Sequence, residues 1–240
     1  MFREMAQRTA ESAQDAGLRK APLGAAVKTY WRQILQAAGA FFVVNATFYI
    51  LISGMLDYGT KTVGLSRTEI LVCVMVAGAT QVITMPFFGA LTDRMGSRKK
   101  LYLTGTVLMA VFALPMFWLI DTGSVPMVLL ALLIGFTIHA TMYGPQAALY
   151  AEMFPADVRY SGASLGYQLA SVLAGGLAPF IMASLLAVTG ASWSVALYII
   201  GTAAVTFVAV ATIKERYRRD LYETSEESDE SARAGAAHSA

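Results

Sequence analysis

The sequence has little charge and almost no cysteine. Only 14% of its 240 residues are Asp, Glu, Lys or Arg, where soluble domains run near about 25%. The single cysteine, Cys73, permits no internal disulfide; it excludes a disulfide-framed scaffold and leaves the redox compartment unread. Histidine is nearly as scarce, with only His139 and His238. The formal net charge of +2 is too small to suggest a nucleic-acid partner. Apolar residues are what the chain has in quantity: 56% are hydrophobic and the mean hydropathy is +0.55. That balance excludes disordered and collagen-like classes and argues against a soluble globular fold.

The apolar residues form runs. Residues 1–33 are polar and charged, and the first long run starts only after Arg32, which does not match a secretory signal peptide. Six runs follow, at about 34–56, 70–91, 101–120, 126–150, 163–188 and 193–213. Each is about 20 residues or longer, enough to cross about 30 Å of hydrocarbon at 1.5 Å per residue. Lipid offers no partner for backbone polar groups, so a spanning segment is a helix or part of a closed barrel. Barrel strands alternate over about ten residues; these runs are continuous. The sequence therefore predicts an all-α integral membrane protein with six transmembrane helices. Residues 1–33 read as a cytoplasmic linker-like segment. Residues 214–240, acidic and then rich in Ala and Ser, read as a disordered cytoplasmic tail.

With both termini on one side, that side holds 16 of the 18 Lys and Arg residues, and the other holds only Lys61 and Arg67. By the positive-inside rule the termini are expected in the cytoplasm, and the protein in the plasma (inner) membrane. Trp31, Trp118 and Trp193 fall at expected helix ends, where aromatic belts form.

No Asp, Glu, Lys or Arg lies in the middle of any run, so the neutral polar residues there stand out. His139, Tyr143 and Gln146 fall within about 60° of arc on the fourth helix. Pro145 cannot donate to the Thr141 carbonyl, which predicts a local break beside that stripe. The fifth helix carries Ser164, Gln168 and Ser171 on one face, the first Asn45 and Tyr49, and the second Gln81 and Thr84. The third and sixth have no comparable stripe. Four polar faces at mid-membrane depth suggest a cavity for a small solute. The competing reading is plain interhelical hydrogen bonding, at about 0.6 kcal/mol per contact. Gly162, Gly166, Ala170 and Ala174, at four-residue spacing, mark a face where helices approach closely.

Two polar loops fall on the expected cytoplasmic side. The first runs Gly89-Ala-Leu-Thr-Asp93-Arg94-Met-Gly96-Ser-Arg98-Lys99-Lys100. The second runs from Tyr150 through Glu152 and Pro155 to Arg159 and Gly162. Asp93 and Glu152 have Arg94, Arg98 and Arg159 as prospective partners, and such a cluster can latch one conformation and release another.

The first loop resembles the G-x-L-x-D-R-x-G-R-[RK] signature of the major facilitator superfamily, with Ser97 in place of the usual Arg. Tyr143-Gly-Pro-Gln-Ala-Ala, Ala151-Glu-Met-Phe-Pro and Val158-Arg-Tyr-Ser-Gly-Ala-Ser-Leu-Gly-Tyr-Gln168 are similar to the metabolite:proton symporter family within it. So are Asn45-Ala-Thr-Phe-Tyr49 and Leu56-Asp-Tyr-Gly59. The resemblance covers about residues 30–220 and implies the C-terminal half of a twelve-helix fold. It further implies secondary transport of a small polar metabolite (an organic acid, shikimate-like acid, proline or betaine) by alternating access, coupled to protons. Under it, Gly89, Asp93, Arg94, Gly96 and Arg98 form an inner gating motif with Glu152 and Arg159 as charge partners. The cavity-lining candidates are Asn45, Tyr49, Gln81, His139, Tyr143, Gln146, Ser164 and Gln168. Expected partners are membrane lipid, the metabolite, protons, and a complementary six-helix half or a second copy. No cofactor, metal or enzymatic activity is expected.

Two other readings compete. A chain with half the helices of that fold is a truncated, non-transporting membrane protein or a structural partner. Alternatively, six helices, a membrane His139 and the string Gly162-Ala-Ser164-Leu-Gly166 suggest an intramembrane serine protease.

Overall fold

The computed structural model describes residues 23–154 and 158–213. Among the described residues every regular element is a helix, and six are long and apolar enough to cross a membrane. We number them α1 (Val27–Lys61), α2 (Arg67–Met95), α3 (Arg98–Asp121), α4 (Val125–Met153), α5 (Arg159–Thr189) and α6 (Trp193–Ala211). All six expected spans are present, and most run several residues past the apolar runs that mark them. Residue 23 already belongs to the first helix, so the end of the linker-like segment is helical. The rest of that segment, residues 214–240 and Pro155 lie outside the described residues.

Local chemistry sets the helix ends. Ser66 and Glu69 form a reciprocal capping box at the start of α2. Gly96 ends the same helix at φ +63°, a left-handed conformation that glycine adopts without a Cβ clash. A two-residue turn, Gly96-Ser97, then leads to α3, whose first turn is capped by the Ser97 hydroxyl accepting from the Lys100 amide.

α4 lies at the centre, packed on α1, α2, α3 and α5, while α6 packs on α3 and α1. In the most apolar window of each helix, 61% of α1 and 56% of α4 is buried, against 22% for α2 and for α5. α2 and α5 therefore present broad faces that this bundle does not cover. Glycines allow the close crossings. A Cβ at Gly144 of α4 would lie 2.7 Å from the Met85 carbonyl of α2, and one at Gly166 of α5 would lie 2.6 Å from Ala37 Cβ of α1. The small-residue face of α5 is thus a packing seam, as its spacing suggests.

α4 stays helical straight through Pro145, contrary to the break expected there. The chain bends elsewhere. In α1 the hydroxyl of Thr206 stands between Gly39 and Val43: it donates to the Gly39 carbonyl at 2.8 Å and accepts from the Val43 amide at 3.0 Å. A side chain inserted in the i to i−4 ladder parts the helix at Phe41. Carbonyls around this break find partners in the Tyr150 hydroxyl, at 2.5 Å from Ala37 O, and the Tyr102 hydroxyl, at 2.7 Å from Ala40 O. π-helical turns interrupt α1 at Ile50–Gly54 and α5 at Ser171–Gly176, and α2 is interrupted at Thr80. Each of these turns shifts the face a helix presents.

Candidate functional site

The α1 break and the α5 π-turn flank one cavity. It is lined by Phe41, Val44, Asn45, Phe48 and Tyr49 of α1, His139 and Tyr143 of α4, and Tyr167 and Ser171 of α5. Its volume is about 90 Å³, room for about three waters at liquid density. None of these lining residues carries a carboxylate, ammonium or guanidinium, so recognition here rests on amide, hydroxyl and aromatic groups.

His139 organises the site. Its ring is fully buried. Gln81 Nε2 sits 2.8 Å from Nδ1 and 3.4 Å from the Phe136 carbonyl. An amide nitrogen bridging two acceptors makes Nδ1 the acceptor of the ring, so Nε2–H donates to the Val44 carbonyl at 3.2 Å. Both nitrogens of a neutral imidazole are thereby used, and the ring ties α1, α2 and α4 together. Its faces are used as well: Tyr143 stacks at 5.5 Å and 22°, and Phe48 lies at 5.7 Å and 33°. Phe41 continues the aromatic wall, stacked on Tyr167 at 4.4 Å.

Asn45 behaves differently. It is 5% exposed, borders the cavity, and its Nδ2 has no hydrogen-bond partner. A buried, unmade N–H donor costs about 1–3 kcal/mol, and here it belongs to a residue that lines a space able to hold a ligand.

The structure thus gathers Asn45, Tyr49, His139 and Tyr143 at one cavity and places Gln81 behind His139. It does not bring the other candidates there. Gln146 is buried with Oε1 unpartnered, outside the lining. Gln168 is exposed. Ser164 lines a second, more apolar groove with Tyr150, Arg159, Tyr160 and Tyr167, of about 520 Å³. Ser164 and His139 therefore face different cavities, which removes the geometric basis of a serine–histidine pair. Phe41, Phe48 and Tyr167 were missed. The signal was present for two of them: Phe41, Asn45, Phe48 and Tyr49 share one face of α1 at spacings of four, seven and eight.

At the α2–α3 end, Arg98 bonds Asp93 at 3.1 Å and pairs with Glu152 of α4. Arg98 and Glu152 are largely buried, with side chains 16% and 18% exposed, while Asp93 is 62% exposed. Arg94 is exposed, and Arg159 donates to the Phe154 carbonyl at 3.4 Å. Gly89 lies on the α2–α4 crossing, 3.6 Å by its would-be Cβ from the Gly144 carbonyl. At the opposite end Asp121 accepts from the Tyr58 and Ser192 hydroxyls, each at 2.5 Å, joining α1, α3 and the start of α6.

This packing agrees with a family model, Major Facilitator Superfamily, that matches residues 37–237. The chain belongs to the major facilitator superfamily. It is 33% identical over 194 residues to the shikimate transporter of Escherichia coli, covering 77% of this chain and 44% of that protein. It is 32% identical over 207 residues to an inner membrane metabolite transport protein of the same species, covering 84% and 47%. The proline/betaine transporter of Escherichia coli is 29% identical over 192 residues, covering 80% and 38%. The chain spans less than half the length of these relatives. No solved structure matches it. Six apolar spans in this superfamily make it a multi-pass membrane protein with half of that fold.

Proposed function

We propose that this bundle serves as one half of a secondary transporter that moves a small polar metabolite by alternating access, coupled to protons. The observation that carries the reading is the unpartnered Asn45 N–H at an aromatic cavity between the α1 break and the α5 π-turn. A cavity of about 90 Å³ holds only part of such a solute. The uncovered faces of α2 and α5 supply the natural seat for a complementary six-helix half, which would enclose the rest. The names of the relatives point to shikimate-like acids, proline or betaine as solutes. The orientation that fits is termini and the Arg98–Glu152 cluster in the cytoplasm, with the Asp121 cluster outside. Arg98 then serves as the inner latch, and Asp93, Arg94 and Arg159 as its surroundings.

The test is uptake of labelled shikimate, proline and glycine betaine into proteoliposomes under an imposed proton gradient. The chain is reconstituted alone and with a six-helix N-terminal half. Uptake that collapses with a protonophore supports the reading. No uptake in either arm overturns it.

A further inference from the structure

The cavity between α1, α4 and α5 is walled mainly by rings. Of its nine lining residues, five carry six-membered aromatic rings: Phe41, Phe48 and Tyr49 of α1, Tyr143 of α4 and Tyr167 of α5. Tyr49, Tyr143 and Tyr167 are 39%, 37% and 38% exposed, so a solute can reach them. The rings do not form one flat slot. Phe48 meets Tyr49 edge to face at 87°, with centroids 5.8 Å apart, and Phe41 is tilted 46° to Tyr143 at 6.4 Å. Walls turned to one another in this way enclose a rounded group better than a planar one. Their ring faces carry the negative side of the aromatic quadrupole and attract a cation within about 6 Å.

Taking the transport reading as its ground, we infer that this half holds the quaternary-ammonium head of its solute, with Phe48, Tyr49, Tyr143 and Tyr167 as the residues that set specificity. The lining decides the class by what it lacks. None of its side chains is ionised, so an anionic head would enter with no cation to meet it. Side-chain acceptors are few as well. Both His139 nitrogens are spent on Gln81 and Val44, which leaves the Asn45 amide oxygen and the hydroxyls of three tyrosines and Ser171. A primary or secondary ammonium brings N–H donors that each need an acceptor once out of water. A quaternary ammonium brings none, and its methyl groups pack directly on ring faces. The solute class is therefore a small N-trimethylated zwitterion, which favours a betaine over proline or a shikimate-like acid. The cavity of about 90 Å³ takes the methylated head, and the anionic end extends toward the complementary half.

The test uses the whole chain in maltoside micelles and compares glycine betaine with 3,3-dimethylbutanoate, which has the same shape with carbon in place of the charged nitrogen. Binding is read by saturation-transfer difference NMR on the equivalent methyl protons of each probe. Glycine betaine should bind about tenfold more tightly. Removing methyl groups, in dimethylglycine and then sarcosine, should weaken binding stepwise. Tyr143→Leu should erase most of the betaine preference, and Tyr143→Phe, which keeps the ring, should retain it. Tyr160→Leu, in the other groove, should leave it unchanged. The preference is a ratio within one sample, so it does not depend on how much of a variant is folded. Equal binding of the two probes, no binding of either, sarcosine binding better than betaine, or a preference undiminished in Tyr143→Leu would each overturn the assignment. Uptake is judged separately: failed uptake beside an intact betaine preference sinks the transport reading and not the aromatic cage, and equal probe binding beside uptake does the reverse.

Discussion

The side-chain amide of Gln81 lies 2.8 Å from Nδ1 of His139, two apolar runs away in sequence and inside the bundle. The imidazole is fully buried, so its nitrogens depend on the protein for partners. Replacing Gln81 by Leu keeps the volume and strands Nδ1. The expected loss is about 1–3 kcal/mol of stability, seen as a lower midpoint in a detergent thermal-shift assay. A Gln81→Leu midpoint equal to that of the parent would show that His139 does not need this bond.

Asn45→Leu should behave in the opposite way. Its Nδ2 makes no bond in this structure, so its removal relieves an unmet donor and stability holds within about 1 kcal/mol. Solute binding, by contrast, should weaken about tenfold or more if that donor meets the ligand. Isothermal titration against the small polar metabolites, beside the same thermal-shift assay, separates the two effects. Equal affinity in Asn45→Leu would place the donor outside the binding contacts.

Glycine substitutions discriminate the crossing points. Gly144→Ala pushes a methyl to 2.7 Å from the Met85 carbonyl and 3.1 Å from the Gly89 amide, both backbone atoms. Overpacking of this kind costs about 1–3 kcal/mol. Gly78→Ala meets nothing within 4 Å and should gain up to about 1 kcal/mol from helix propensity. Chemical-denaturant midpoints for the two variants should therefore move in opposite directions.

The Arg98 cluster makes a graded prediction. Arg98→Ala leaves Glu152 largely buried without its cation, a change that costs about 3–5 kcal/mol in buried pairs. Asp93→Ala removes an exposed contact worth about 1 kcal/mol or less. Folded protein recovered from membranes should drop sharply for the first and little for the second. Comparable yields for both would show that Glu152 is sustained by other groups.

The parts of this protein that could be read from residue order are those set by local period and composition. Six spans follow from hydropathy, because a backbone in lipid must satisfy itself within one helix. The packing seam of α5 was visible in Gly162 and Gly166, since small side chains at four-residue spacing share a face. Half of the cavity was visible for the same reason. Asn45 and Tyr49 lie on one stripe, and His139 and Tyr143 on another. Ser164 and Gln168 were placed with them by helical phase alone. The π-turn at Ser171–Gly176 follows both residues, and packing sets the helix direction that turns Ser164 to another groove and leaves Gln168 exposed.

Sequence alone determined that the chain is helical and carries six segments long and apolar enough to cross a membrane. Only the tertiary structure decided where the helices bend and which polar groups meet. Pro145 has a local cost that the packed helix absorbs, and α4 runs through it. Thr206 has none, yet its hydroxyl parts α1 from a distance of 163 residues along the chain. A hydrogen bond across that separation exists only when α6 lies against α1, and no local pattern encodes it.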